Sequence, residues 1–271
     1  MKKYNPIFLT IAMAAVLSLS GCKNKDTIDL TGIHESNTET APVSETMAQE
    51  TASAPENIEI EVEPTESKTV EALTVRSQIA TFKEGSVSIE YPILSNLKDK
   101  NTENSINDLI KEKATQIVSA YELDPTKDSL DISCEVVSLD RNKAVLKFNG
   151  GYTPENAAYP TDICYTLTVN LSKGTIQRLS DYVDPYTMAG YILSDDLVIT
   201  KSIDDDAVKE YLDTVDINTL WDTLKACDFS DDQSNFPSAF SYEIQGKIYM
   251  ILPLPNVLGD YFIAEFNADS K

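Results

Sequence analysis

Between Lys23 and Val75 the chain contains no Phe, Trp or Tyr, and it carries twelve Asp and Glu against three Lys. Ser, Thr, Glu, Ala and Pro dominate, as in ESNTETAPVSETMAQETASAPENIEIEVEPTES. A segment with so little apolar surface cannot offset the entropy of ordering its own backbone. Its acids repel one another, so residues 22–75 are expected as a flexible, extended tether, with an acidic interaction tail as the alternative. Any core must then come from 76–271, a length that permits one large or two small domains.

The N-terminus restricts the address. Lys2 and Lys3 precede a short apolar run from Ile7 to Leu19, and Ser20 and Gly21 lead into Cys22. About thirteen apolar residues are too few to cross a roughly 30 Å hydrocarbon core comfortably. The charged start and small-residue end fit a secretory signal peptide over 1–21. Leu19-Ser20-Gly21-Cys22 resembles the bacterial lipobox, where the peptidase cuts before the cysteine and its sulfur receives a diacylglycerol. That resemblance implies lipidation at Cys22 and a membrane partner reached through a lipid anchor on the extracytoplasmic face. Each buried methylene contributes about 0.8 kcal/mol and two or three acyl chains act together. An ordinary signal peptide with an incidental cysteine is the alternative.

The formal net charge is −22, and residues 76–271 hold 32 acids against 17 bases, a net of −15. Phosphate neutralisation needs a basic face, so no nucleic-acid partner is expected. The field favours a basic protein or a cation, although solubility alone also accounts for it.

Runs of strands and helices without regular alternation predict an α+β fold. SVSIEYPIL (86–94) alternates and should be a strand ending at Pro92. Ile106, Leu109, Ile110, Ala114, Ile117, Val118 and Tyr121 form one helical stripe, capped by Asn101 or Thr102. SLDISCEVVSLDRNKAVLKFNGGY reads as a hairpin turning at Asp140 to Lys143, and ICYTLTVNLSKGTIQRLSDYV as a strand, a Lys173-Gly174 turn and a returning strand. Three short helices follow, with Asp184, Asp204 and Asp216 as caps and Pro185 in a first turn. The end, FSYEIQGKIYMILPLPNVLGDYFIAEF, should give two strands around Gln245-Gly246 and a third after Gly259-Asp260.

Catalytic chemistry is sparse. The single histidine is His34, inside the predicted tether, so Ser-His-Asp, Cys-His and multi-histidine zinc arrangements are excluded for the folded part. No Gly-rich phosphate cradle occurs. Asp204-Asp205-Asp206 lacks the alternating ligands, glycine and distal Glu of a calcium loop and reads as an acidic helix start, while Asp195-Asp196 and Asp231-Asp232 read as solvated turns. No metal, cofactor or catalytic residue is therefore assigned. Cys134, Cys164 and Cys227 have no C-x-x-C spacing. Cys134 with Cys164 is the best-placed disulfide candidate, but strands flanking the 143–150 strand put their Cα atoms about 10 Å apart, beyond reach. Buried free thiols are the reading. Trp221, inside a helix, is assigned to the core.

Several segments together resemble a known family. VSIEYPILSNLKDKNTENSINDLIKEKA, with Tyr91-Pro92 and Ile106-Asn107, looks like the opening of the extracytoplasmic domain family shared by the deacetylase PdaC and the anti-sigma factor RsiV. Ala157-Ala158-Tyr159-Pro160, Lys173-Gly174, Leu179-Ser180-Asp181 and Gly259-Asp260-Tyr261 follow in that family's order. The resemblance covers most of 84–268. It implies a two-lobed α+β fold: a strand-helix-hairpin unit over 76–180, then a helical and antiparallel-sheet unit over 181–271. Within the family, RsiV is a lysozyme receptor that releases a sigma factor, and PdaC carries a separate deacetylase domain with metal-binding histidines. Neither a sigma-binding segment with its membrane helix nor that catalytic domain is read here, so the expectation is a lipoprotein of this family without enzymatic activity.

The expected function is a membrane-anchored binding module for peptidoglycan or another cell-wall component, or for a basic protein such as a lysozyme. A cell-envelope hydrolase or deacetylase accessory using carboxylates, and a structural or sensor module, are the alternatives. The stretch GYTPENAAYPTDICY (151–165) should be a loop between strands, because Pro154 and Pro160 interrupt hydrogen bonding. Tyr152, Tyr159 and Pro160 are its candidate binding residues, with Tyr159 the best exposed contact.

Overall fold

A computed structural model describes residues 74–230 and 235–267. Cys22, His34, Asp231-Asp232, the stretch 1–21 and the tether up to residue 73 lie outside the described residues. The described residues belong to one compact unit, within 66–271. The class is α+β.

The first sheet contains β1 (Arg76–Glu84), β2 (Val87–Ser95), β3 (Ser129–Leu139), β4 (Lys143–Thr153), β5 (Thr161–Asn170) and β6 (Thr175–Gln177), in that spatial order. All its pairs are antiparallel except β2 with β3, which are parallel and joined through α1 (Lys100–Ala120). Pro92 does not end β2. The pairing of β2 with β3 covers only Val87–Ile89, so Pro92 has β1 as its one strand neighbour, and a missing N–H is tolerated there. The helix begins before Asn101, because the Asp99 carboxylate accepts from both the backbone N–H and the hydroxyl of Thr102, at 2.6 and 2.7 Å.

Cross-strand partners share a face. Cys134, Phe148 and Tyr165 form one row, and Ile132, Gly150 and Ile163 the next. This face receives Ile106, Ile110, Ala114 and Ile117 of α1 in a single buried core. The Tyr165 hydroxyl donates to the Ala114 carbonyl at 2.7 Å, fastening helix to sheet. Cys164 belongs to the other face, in a row with Ser133 and Asn149. Cys134 and Cys164 are thus two strands apart and on opposite faces, and all three described cysteines are free thiols.

The second sheet has the order β7 (Val198–Lys201), β10 (Tyr261–Asn267), β9 (Lys247–Pro253), β8 (Phe240–Ile244), all antiparallel. Helices α2 (Pro185–Ile192), α3 (Asp205–Leu212) and α4 (Ile217–Lys225) start at Asp184, Asp204 and Asp216, each accepting backbone N–H groups from its own first turn. Asp204-Asp205-Asp206 is accordingly a helix start. The helices pack Met188, Ile192, Val208 and Leu224 against Met250, Leu252, Phe262 and Ala264. The alternate residues Ile251, Tyr261 and Ile263 belong to the core of the first sheet. Burial on both faces explains the unbroken apolar run Tyr261-Phe262-Ile263-Ala264. Trp221 is half-buried at the edge of the helical layer, edge-on to Tyr186 at 5.5 Å with the Lys225 ammonium 4.0 Å from its ring.

Candidate functional site

The β4–β5 connection (154–160) is held at both ends. At its start the Glu155 N–H donates to Asp128 Oδ1 at 2.8 Å, Lys127 pairs with Glu155 at 3.4 Å, and the Ala157 N–H closes a turn on the Pro154 carbonyl. At its end the Asp162 N–H donates to Asp260 Oδ2 at 2.8 Å. Asp260 belongs to the β9–β10 connection (254–260) and accepts on its other oxygen from the Asn256 amide at 3.0 Å. One carboxylate therefore ties a loop of the first sheet to a loop of the second.

A third connection joins them. Gly259 has φ of 96°, and a Cβ there would overlap the side chain of Ile203, in the β7–α3 connection. Only glycine combines that backbone with so close an approach. Three connections consequently gather around Asp260 and Gly259.

They carry the three most exposed large apolar side chains among the described residues: Val257 at 88%, with Tyr159 and Ile203 each at 77%. Tyr159 and its neighbour Pro160 are exposed as expected. Tyr152 is not beside them in role. Its ring is partly buried against the first core and stands edge-on to Tyr121 at 5.4 Å, and burial raises the pKa of both phenols. Sequence reasoning missed Ile203 and Val257. Their signal was a large apolar residue in a turn-rich connection, Ile203 before the acidic triplet and Val257 before Leu258-Gly259-Asp260. Carboxylates stand on these connections or at the element ends beside them: Glu155, Asp204 and Asp260 on the connections, Asp162 at the start of β5, and Asp205 and Asp206 in the first turn of α3.

Just inside lies a polar cluster. Lys201 hydrogen-bonds the Tyr261 hydroxyl with its ammonium 4.3 Å from the ring centre, and the Cys164 thiol donates to Asn149 Oδ1 at 3.1 Å. Burial pushes the Cys164 thiol up to about 11, overriding the nearby Lys201 and Lys147, and pushes Cys134 up to about 12. Both therefore remain thiols at neutral pH and are poor nucleophiles. Among the described residues no three His, Cys, Asp or Glu side chains are grouped to hold a metal ion. This end of the molecule therefore presents three exposed apolar side chains with carboxylates on and beside the same connections.

No family model matches the chain. No curated protein matches it either. Among solved structures, a DUF3298 family member from Bacteroides fragilis is similar at 13% identity and a TM-score of 0.39, covering 72% of this chain and 90% of its own. A DUF3298 family protein from Pseudomonas aeruginosa is similar at 10% identity and a TM-score of 0.35, covering 66% of this chain and 82% of its own. These structural neighbours are of the PdaC/RsiV-like domain family whose motifs the sequence resembles.

Proposed function

We propose that the chain is a non-catalytic binding module, lipid-anchored through Cys22 on the outer face of the cell membrane, that contacts a basic protein through its three gathered connections. The observation that carries this is the placement of Val257, Tyr159 and Ile203, all more than three-quarters exposed, on loops rimmed by carboxylates. Apolar anchors within a charged rim are the ordinary anatomy of a protein contact, where the charge speeds encounter and fixes register. A lysozyme has the required positive surface. The acidic run before the folded unit would hold this surface away from the bilayer.

The test uses the full chain and follows lysozyme binding at low and high salt. Binding should weaken as salt rises. Val257→Ser together with Tyr159→Ser should lower affinity tenfold or more at either salt, with the unfolding temperature unchanged. Failure of the chain to bind any basic protein at low salt sinks the reading. For the anchor, Cys22→Ser should abolish labelling by palmitate and move the protein out of the membrane fraction, and retention there would refute it.

A further inference from the structure

The uncovered face of the first sheet has a polar cleft of ≈ 560 Å³. It arises because β2 leaves β3 after Ile89, so Glu90 forms a wall and its carboxylate accepts from the Cys134 N–H at 3.3 Å. The floor is built of cross-strand partners on the face away from α1: Ser129 opposite Thr153, Asp131 opposite Gly151, Ser133 opposite Asn149. The alternation of exposed and buried residues over Ser129, Leu130, Asp131, Ile132 and Ser133 marks this face as open at that end of β3. The second sheet covers the same face only farther along, where the Thr166 hydroxyl donates to the Ser241 carbonyl at 2.8 Å and Lys143 pairs with Glu243.

Gly151 is the unexplained residue. Its neighbour Gly150 is required, since a Cβ there would overlap the Asp131 carbonyl of β3. A Cβ at Gly151 would meet nothing nearer than the Thr161 carbonyl at 4.0 Å, and its φ is not positive. The fold makes no demand for glycine there, yet a strand glycine weakens a sheet and commonly marks the close approach of a ligand. The notch it leaves lies opposite Asp131, an exposed residue whose carboxylate has no hydrogen bond or ion pair among the described residues. The lining holds two carboxylates, which only accept, beside the hydroxyls of Ser129, Ser133 and Thr153 and the Asn149 amide, which can also donate. Successive rungs are roughly 6.8 Å apart along the strands.

We propose that this cleft binds a saccharide chain bearing free amino groups, with an ammonium in the Gly151 notch against Asp131 and sugar hydroxyls on the flanking rungs. The chemistry selects that class. An anionic ligand meets two carboxylates on a chain of net charge −22. An apolar ligand finds only the Ile132 and glycine backbones, and a single cation leaves the repeated hydroxyl rungs unused. The proposal goes beyond the protein-contact reading and uses none of the loop residues above.

The experiment titrates the full chain with glucosamine oligomers, with N-acetylglucosamine oligomers of equal length, and with oligolysine. Glucosamine oligomers should bind at least tenfold more tightly than the acetylated ones, and more tightly than oligolysine of equal charge. Asp131→Asn should lose about tenfold, and Gly151→Leu should abolish binding by filling the notch. Lysozyme binding should be unchanged in both variants, which separates failure of this site from failure of the loop surface. Should Gly151→Leu fail to fold, Asp131→Asn and Glu90→Gln carry the test. Equal binding of oligolysine would assign the cleft to charge alone and overturn the proposal, as would retention of full affinity in the variants.

Discussion

Asp228 is a buried carboxylate that joins the segment before the helices to the second sheet. The backbone N–H groups of Leu179 and Ser241 donate to it at 2.7 and 2.5 Å, and the Ser241 hydroxyl donates at 2.6 Å. Burial raises its pKa to about 6, while the Ser241 and Leu179 donors pull the other way. The sign of the linkage follows. Because the folded pKa lies above the usual value of 3.8, the group's stabilising contribution is full below about pH 3.8 and is lost as pH rises through about 6. Asp228→Asn turns an amide N–H₂ toward the backbone N–H of Leu179 or of Ser241, neither of which can accept. It should destabilise the fold by about 1–3 kcal/mol at neutral pH. Denaturant unfolding from pH 4 to 7 checks both points: the variant's deficit should be larger at pH 4, because only the wild-type side chain titrates and it holds its proton more tightly in the folded state. A deficit independent of pH would show that Asp228 does not titrate in this window.

At the scale of elements, what the sequence announced and what it hid have separate physical causes. The α1 stripe and the three aspartate caps were legible because helical spacing and capping chemistry are local. The hairpins at Asp140 and Gln245 were legible for the same reason. Strand β1 was not read, since RSQIATFKE lies at an edge, has no fully buried residue and turns only Ala80 and Phe82 part-way inward, so it lacks a buried alternation. Strand β7 is four residues long and only Ile199 turns inward. The gathering of three loops around Asp260 depends on contacts 98 residues apart in sequence, beyond any local pattern. Only Tyr159 and Pro160 could be named in advance from composition. The paired glycines show the same division. Both read as loop-adjacent strand residues in sequence, but Gly150→Ala should force β4 off β3 and cost about 1–3 kcal/mol. Gly151→Ala should change stability by no more than about 0.5 kcal/mol. Thermal unfolding of the two variants distinguishes them, and equal losses would remove the argument that Gly151 is spared for a ligand.

For the whole molecule, the two sheets divide the chain between Gln177 and Val198, but the hydrophobic core does not divide there. Phe229 and Phe240 pack beside Tyr165 at ring separations of 6.2 and 5.9 Å, bringing the second half of the chain into the first core. Tyr242, Ile251, Tyr261 and Ile263 join the same cluster. Removing residues after 180 would expose the ring faces of Phe148 and Tyr165, which stack at 4.7 Å, and strand their partners in solvent. Two lobes that share a core should unfold together. The single tryptophan, Trp221, reports the helical layer, whereas far-ultraviolet circular dichroism sums over all the described helices and strands, including the 21-residue α1 of the first core. Denaturant curves from the two probes should coincide in midpoint and slope, as one cooperative transition requires. A fragment ending at residue 180 should show no cooperative transition of its own. A tryptophan transition that precedes the loss of circular dichroism would mean that the helical layer melts separately, and the shared aromatic contacts would then be too weak to couple the halves.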